Sequence, residues 1–253
     1  MTIDTISVTR NAHVLALEIT RPAKKNALTG EMYSALARAL EQAATDPDMR
    51  VALVSGAGGV FTAGNDVGDF LSNPPTGPSP VDDFLRAILT FPKPLVAAVH
   101  GLAVGIGTTL LLHCDYVVAA SDASFRMPFV DLGLCPEAGS TVLLPLFAGQ
   151  RFAQKHLLLG LPFGAEEALQ AGVVSEVVAA QAVLERAQTI CSVFVAKPTQ
   201  ALQATKAAMR GPWRAQVEDA MMKERASFAH LLQTEESRAI MSGFLAKSKA
   251  ANK

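Results

Sequence analysis

Glu137 stands between Pro136 and Ala138-Gly139 in the run LGLCPEAGS, with mostly apolar or small neighbours. A carboxylate there is either a solvated loop residue or a desolvated base whose pKa burial has raised. Upstream, PLVAAVHGLAVGIGTTLLLHCD sets an apolar run, Pro94–Val99, before Gly101, Gly105 and Gly107, and then a stretch that can be helical. A strand that breaks at glycines and restarts as a helix leaves unpaired N–H groups in the first helical turn. Those groups favour an anion at that end of the helix. A second glycine-rich loop, Gly56–Asp66, follows a short strand predicted at Arg50–Ser55, and its small residues allow a ligand close to the backbone. The chemistry such parts can do is proton abstraction beside an anion held by backbone amides.

Other chemistries fit less well. The dinucleotide fingerprint GxGxxG would need glycine at 110, where Leu110 stands. Ser140 is not in a GxSxG elbow, so a hydrolase triad has little support. Cys114, Cys135 and Cys191 are widely spaced without CxxC, which suggests neither a disulfide framework nor a zinc site. His100 and His113 read as structural, as does Asp131, and Asp66 as a cap on backbone N–H groups.

The elements that must position these groups follow from pattern. Thr5–Arg10 and His13–Thr20 read as a hairpin turning around Arg10-Asn11. Thr29 caps a helix starting near Gly30, with Met32, Leu36, Leu40 and Ala43 on one face. Leu71–Val81, rich in Pro, Gly and Ser, reads as a mobile cover beside a pocket, and Asp82–Leu89 as a helix. Asp115–Ala120 and Val173–Val178 read as strands and Phe125–Pro128 as an extended piece. Thr141–Ala148, Gln150–Leu159 and Ala165–Ala171 read as helices, as do 181–195, 199–209, 213–232 and 235–247. A boundary near residue 195 separates an α/β core, 1–195, from a helical region, 196–253.

Bulk properties agree with a ligand-binding globular chain. Of 253 residues, 50% are hydrophobic and only 18% charged, which implies a well-filled interior or buried subunit contacts. A formal net charge of −1 without a basic block argues against a nucleic-acid binder. MTIDTISVTR lacks the pattern of a signal peptide, and the apolar runs are too short and interrupted to span a membrane, so a cytoplasmic location is expected.

The segments RPAKKNAL (21–28), GGVFTAGNDV (58–67), KPLVAAVHGLAVGIGTTLLLHCD (93–115), FRMPFVDLGLCPEAGS (125–140) and LLLGLPFGAEEALQAGVVSEVV (157–178) together resemble the crotonase superfamily of enoyl-CoA hydratases and isomerases. The resemblance implies a repeated ββα spiral core, a helical C-terminal region that packs subunits into trimers or hexamers, and an acyl-CoA substrate with no further cofactor or metal. It assigns the oxyanion-binding amides to Asn65 and Ile106, each typically worth about 2.7–4 kcal/mol of barrier. It sets Lys24, Lys25 and Ala27, together with Ala63, Asp66 and Val67, along the coenzyme A part of the substrate, with Lys247 and Lys249 as further phosphate contacts.

The departures from the family pattern are informative. The two glutamates of its hydratases fall at Thr109 and Phe129 here, and neither residue activates water. Glu137, by contrast, matches the segment that carries the single glutamate of Δ3,Δ2-enoyl-CoA isomerases. The resemblance therefore implies a double-bond shift from C3 to C2. The rivals are hydration with water activated by Glu137 or Asp131, and a noncatalytic acyl-CoA-binding protein.

Overall fold

The computed structural model describes residues 2–3, 5–72 and 77–251. Strands β1 (Thr2–Ile3), β2 (Ile6–Asn11) and β3 (Val14–Ile19) open the chain, and α1 (Gly30–Thr45) leads to β4 (Val51–Gly56). Helices α2 (Val67–Ser72) and α3 (Pro80–Thr90) precede β5 (Leu95–Val99) and β6 (Leu102–Val104). Then come α4 (Ile106–Thr109), β7 (Tyr116–Ala120), β8 (Ser124–Arg126) and α5 (Ser140–Leu158). The chain continues through β9 (Phe163–Gly164), α6 (Ala165–Gln170), β10 (Glu176–Val178), α7 (Val183–Val195), α8 (Thr199–Leu231) and α9 (Glu235–Ala251).

One sheet has the order β1-β2-β3-β4-β5-β7-β10, and a second has the order β6-β8-β9. The first is antiparallel through β3 and parallel from β3 to β10. Composition explains the change. Leu15, Leu17 and Ile19 on β3 are buried in alternation, whereas all five residues of LVAAV on β5 are buried, as a parallel strand between two others requires. Each step along the chain repeats one device. After β4, Thr62 bridges to Ala103 of β6; after β5 the chain enters β6; after β7 it enters β8, which pairs parallel with β6. This is the ββα spiral, with helices closing each turn.

Caps explain where the helices start. Thr29 Oγ1 accepts from the Met32 N–H at α1, and Ser79 and Asp82 form a reciprocal capping box at α3. Buried Lys93 closes the other end of α1 by donating to the carbonyls of Ala43 and Asp46.

Several expectations shift. The hairpin turns at Ala12-His13, both with positive φ (47° and 68°), because Asn11 is still paired with Val14. The helical stretch expected after Gly107 begins at Ile106 and tightens to 3-10 geometry at Leu110–His113. The separation of 141–148 from 150–159 holds as a kink at Gly149 (φ 79°, ψ 159°) within α5. The break expected at Pro212 is absent, and α8 runs continuously through it. Proline removes the bond to the carbonyl of Ala208, but Ala208 is exposed, so water can take that bond. Lys206 and Arg210, both bonded to Asp115, anchor the helix before the proline. Of the cover segment 71–81, residues 73–76 lie outside the described residues, as does the side chain of Lys249.

Candidate active site

The two glycine-rich loops lie side by side because Thr62 and Ala103 are bridge partners, and the Thr62 carbonyl accepts from Val104 N–H at 3.0 Å. Three residues beyond each partner stand Asn65 and Ile106. Gly64 (φ +89°) permits the approach, since a Cβ there would sit 2.7 Å from the Val104 carbonyl oxygen. Asn65 is itself a parallel bridge partner of Leu28, so its neighbours make the bonds: Leu28 N–H to Gly64 O and Asp66 N–H to Leu28 O, each 2.8 Å. That pattern turns the Asn65 N–H outward, without an acceptor among the described residues. Gly105 (φ 57°, ψ −120°) precedes α4, whose first bonds run from Thr108 and Thr109 to the Gly105 carbonyl, leaving the Ile106 N–H unused. Two outward amides on adjoining loops are the parts of an anion hole.

The RPAKKNAL loop is locked to the first of these loops by Asn26, a residue that no site motif singles out. Buried Asn26 (φ 58°) donates through Nδ2 to the carbonyls of Ala57 and Val60, and its own carbonyl accepts from Thr62 Oγ1. Ala63 N–H donates to Lys25 O at 2.9 Å. Lys24 and Lys25 point to solvent and their ammonium groups have no partner among the described residues, while Ala27 is half-buried, its carbonyl accepting from Arg21. Asp66 caps α2 through the Gly68 and Asp69 N–H groups and pairs with Arg21 at 2.7 Å, so the capping expected of it is observed. Burial pushes the Asp66 carboxyl up, but the Arg21 guanidinium and the two amides outweigh it and hold it below its usual range. Val67, the first residue of α2, packs half-buried on the core.

Glu137 is 7% exposed, and its Oε1 has no hydrogen-bond partner among the described residues. Burial, reinforced by the charges of Glu224 and Asp82, pushes its carboxyl up to about 8, against the Asn65 side chain, which lowers it. Tyr33 on α1 donates its hydroxyl to Asn65 Oδ1. The Tyr33–Asn65 pair therefore sets beside the carboxylate the side chain of the residue whose backbone amide faces outward. Tyr33 has no local signature: it occupies a core position of an amphipathic helix, and its partner lies 32 residues away.

The remaining polar candidates are accounted for. His113, pushed down to about 4 chiefly by burial, is neutral and donates to the Ala138 carbonyl at 2.7 Å. His100 bonds the Ala180 carbonyl. Asp131 pairs with Arg126 at 3.0 Å on the surface. Thr109 and Phe129 are both buried, and Thr109 Oγ1 has no partner among the described residues. A cavity of about 60 Å³ between α1, α2 and α3 is lined by Leu28, Tyr33, Phe70 and Val81.

The sequence profile of the family described as enoyl-CoA hydratase/isomerase matches residues 9–253. The chain belongs to that family. Among enoyl-CoA hydratase/isomerase relatives, it is 36% identical over 242 residues to the 2,3-dehydroadipyl-CoA hydratase of Escherichia coli K12, covering 95% of each chain. It is 38% identical over 205 residues to that strain's 1,2-epoxyphenylacetyl-CoA isomerase, covering 78% of each. To the enoyl-CoA delta isomerase 2 of Rattus norvegicus it is 39% identical over 179 residues, 68% of this chain and 46% of the relative. The crystal structure of an enoyl-CoA hydratase/isomerase from Pseudoalteromonas atlantica T6c superposes with a TM-score of 0.92 at 38% identity, covering 96% of this chain and 98% of that one. Membership of the enoyl-CoA hydratase/isomerase family makes this a crotonase-type enzyme acting on acyl-CoA. No helix among the described residues is long and apolar enough to cross a membrane.

Proposed function

We propose that this enzyme is a Δ3,Δ2-enoyl-CoA isomerase with Glu137 as its single acid–base group. The observation that carries the reading is one buried carboxylate with an unpartnered oxygen, where the two hydratase positions are filled by buried Thr109 and Phe129. The amides of Asn65 and Ile106 receive the thioester oxygen. Glu137 removes a proton from C2 of the 3-enoyl thioester, and the electron pair moves onto that oxygen as a dienolate. The amides stabilise the charge where it develops, each to the extent of about 2.7–4 kcal/mol. Glu137 then returns the proton to C4 as the double bond settles between C2 and C3. Phe129 at 4% exposure helps keep water away from the shared proton. The reaction so written needs no metal or redox cofactor.

The coenzyme A part runs past Lys24, Lys25, Ala27 and Ala63, where the two exposed ammonium groups suit phosphates, while Asp66 and Val67 shape the loop that carries the Asn65 amide. Leu28, Phe70 and Val81 offer the acyl chain an apolar cavity. Exposed Leu146, Phe147, Leu158 and Leu159 favour a subunit contact and hence a trimer or a dimer of trimers, which light scattering tests.

The decisive experiment incubates the pure enzyme with a 3-enoyl-CoA and, separately, with a 2-enoyl-CoA. Isomerisation gives a product of unchanged mass with its double bond at C2, and Glu137→Gln removes most of that turnover while leaving affinity for a CoA thioester roughly intact. Full turnover in Glu137→Gln would sink the assignment. The likeness to a 2,3-dehydroadipyl-CoA hydratase over nearly the whole chain favours hydration as the second reading. A mass gain of one water on the 2-enoyl substrate selects it.

A further inference from the structure

We propose that Glu224, on α8, is a positioning residue for Glu137: it clamps the turn that bears Glu137 and sets a second negative charge against it. This rests on the reading of Glu137 as the base.

The turn needs a clamp. Ala138 (φ 63°) and Gly139 (φ 67°) are consecutive left-handed residues, and for alanine that conformation costs about 1–2 kcal/mol. The N-cap of α5 is Gly139, which has no side chain with which to satisfy the helix's free N–H groups. Glu224, 6% exposed, supplies what is missing. Its Oε2 accepts from Gly139 N–H at 2.6 Å, and its Oε1 accepts from Thr141 N–H at 3.0 Å and Thr141 Oγ1 at 2.6 Å. From another side, His113 donates to Ala138 O, and the Glu137 carbonyl accepts from Ser140 N–H and Oγ. The Cys135 thiol donates to the Glu224 carbonyl, so the segment 135–141 is held to α8 at both ends.

Residue 139 cannot supply the cap itself, because a Cβ there would lie 2.6 Å from Val217 Cγ1, so the acceptor reaches across 85 residues from α8. A carboxylate adds a charge: burial pushes the Glu224 carboxyl up, but its three donors oppose that rise, and Glu137 has no such set of donors, so Glu224 ionises first. The next residue of α8, Arg225, pairs at 3.0 Å with Asp82 of α3, the other carboxylate whose field reaches Glu137. Tyr33 of α1, the Asn65 amide and the Cys135 thiol also face it. One turn of α8 thus fixes both acidic charges that keep Glu137 a weak acid.

The test is a titration of the Glu137 carboxyl by carbon-13 NMR in enzyme labelled at glutamate, assigned with Glu137→Gln, a readout that needs no turnover. In Glu224→Gln the Glu137 midpoint should fall by about one pH unit as the like charge is removed. In Glu224→Asp, which keeps an acid and loses the reach to its donors, the midpoint should fall by less than in Glu224→Gln while kcat drops. Thr141→Val takes one donor from Glu224 and should move the midpoint the same way as Glu224→Gln by a smaller step, so the idea remains testable if Glu224→Gln does not fold. An unmoved midpoint in Glu224→Gln, or in Thr141→Val should the former not fold, would overturn the proposal. A shifted midpoint in an enzyme that isomerises nothing would keep the positioning role and sink only the reaction.

Discussion

The Tyr33 hydroxyl donates to Asn65 Oδ1, which leaves the Asn65 amide nitrogen as the end that meets Glu137. The contact fixes which way round the amide sits, because the hydroxyl's only proton goes to the carbonyl oxygen. Tyr33→Phe leaves Oδ1 without its donor and frees the amide to flip. Losing a buried partner costs about 1–3 kcal/mol, which a denaturant midpoint reports. The Asn65 amide beside Glu137 favours its charged form, so loosening it moves the rise of kcat/KM with pH to higher pH. A variant that lost stability while its pH profile stayed in place would show Tyr33 to be a packing residue only.

Gly64 brings the two outward amides onto adjoining loops. Alanine there must adopt a φ near +89° and hold its Cβ 2.7 Å from the backbone oxygen of Val104, which no rotamer relieves. The loops must part, and Asn65 moves away from Ile106. Gly64→Ala should cost about 10²-fold or more in kcat, the range seen when one oxyanion donor is lost, with a smaller change in KM. A kcat within about twofold of the parent enzyme would mean that the Asn65 amide does not face the reacting oxygen.

How much of this could be read from the sequence divides by distance along the chain. Leu95–Val99 and the glycines at 64 and 105 are local patterns that lie where the sequence puts them, whereas for Glu137 the sequence leaves a solvated and a buried carboxylate open and the fold buries it. The hairpin turn is displaced because nothing in Ala12-His13 advertises two left-handed residues. Pro212 reads as lying near the start of a new helix because its cost inside one is plain, while the anchors that offset it, Lys206 and Arg210 on Asp115, pair across more than 90 residues. Glu224 is hidden for the same reason: in the charged run KER of a long helix it looks like a solvated face, yet its partners lie 83–85 residues upstream. Only Asn26 leaves a trace, since asparagine tolerates a left-handed backbone where two lysines precede it.

Burial of Glu137 links activity to stability through pH. Its carboxyl titrates near 8 in the folded chain and near 4.3 when unfolded, so between these values the folded state binds more protons. Stability therefore falls as pH rises from about 5 to about 8, while the charged base appears and kcat/KM climbs toward a midpoint near 8. Glu137→Gln cannot ionise, so it should be more stable than the parent enzyme at pH 9, on the order of a few kcal/mol, and lose that advantage below about pH 5. Thermal unfolding of both proteins across this range checks the sign. A parent enzyme whose stability does not fall between pH 5 and 8 would place the Glu137 carboxyl in a wetter site than the fold shows.

Thr109 is fully buried with an unpartnered hydroxyl, on the helix turn that begins with the Ile106 amide. A threonine in such a place carries the desolvation penalty of its oxygen without a bond to offset it, and that penalty is about 1–3 kcal/mol. Valine has nearly the same shape and no hydroxyl. Thr109→Val should therefore raise the unfolding free energy by about 1 kcal/mol, against the usual direction of substitutions in a core. Activity supplies the second half of the test. If Thr109 only fills space beside the anion hole, kcat and KM of the variant follow the parent enzyme. A rise in KM together with the gain in stability would instead show that the hydroxyl bonds the bound thioester, its free lone pairs and proton being reserved for substrate.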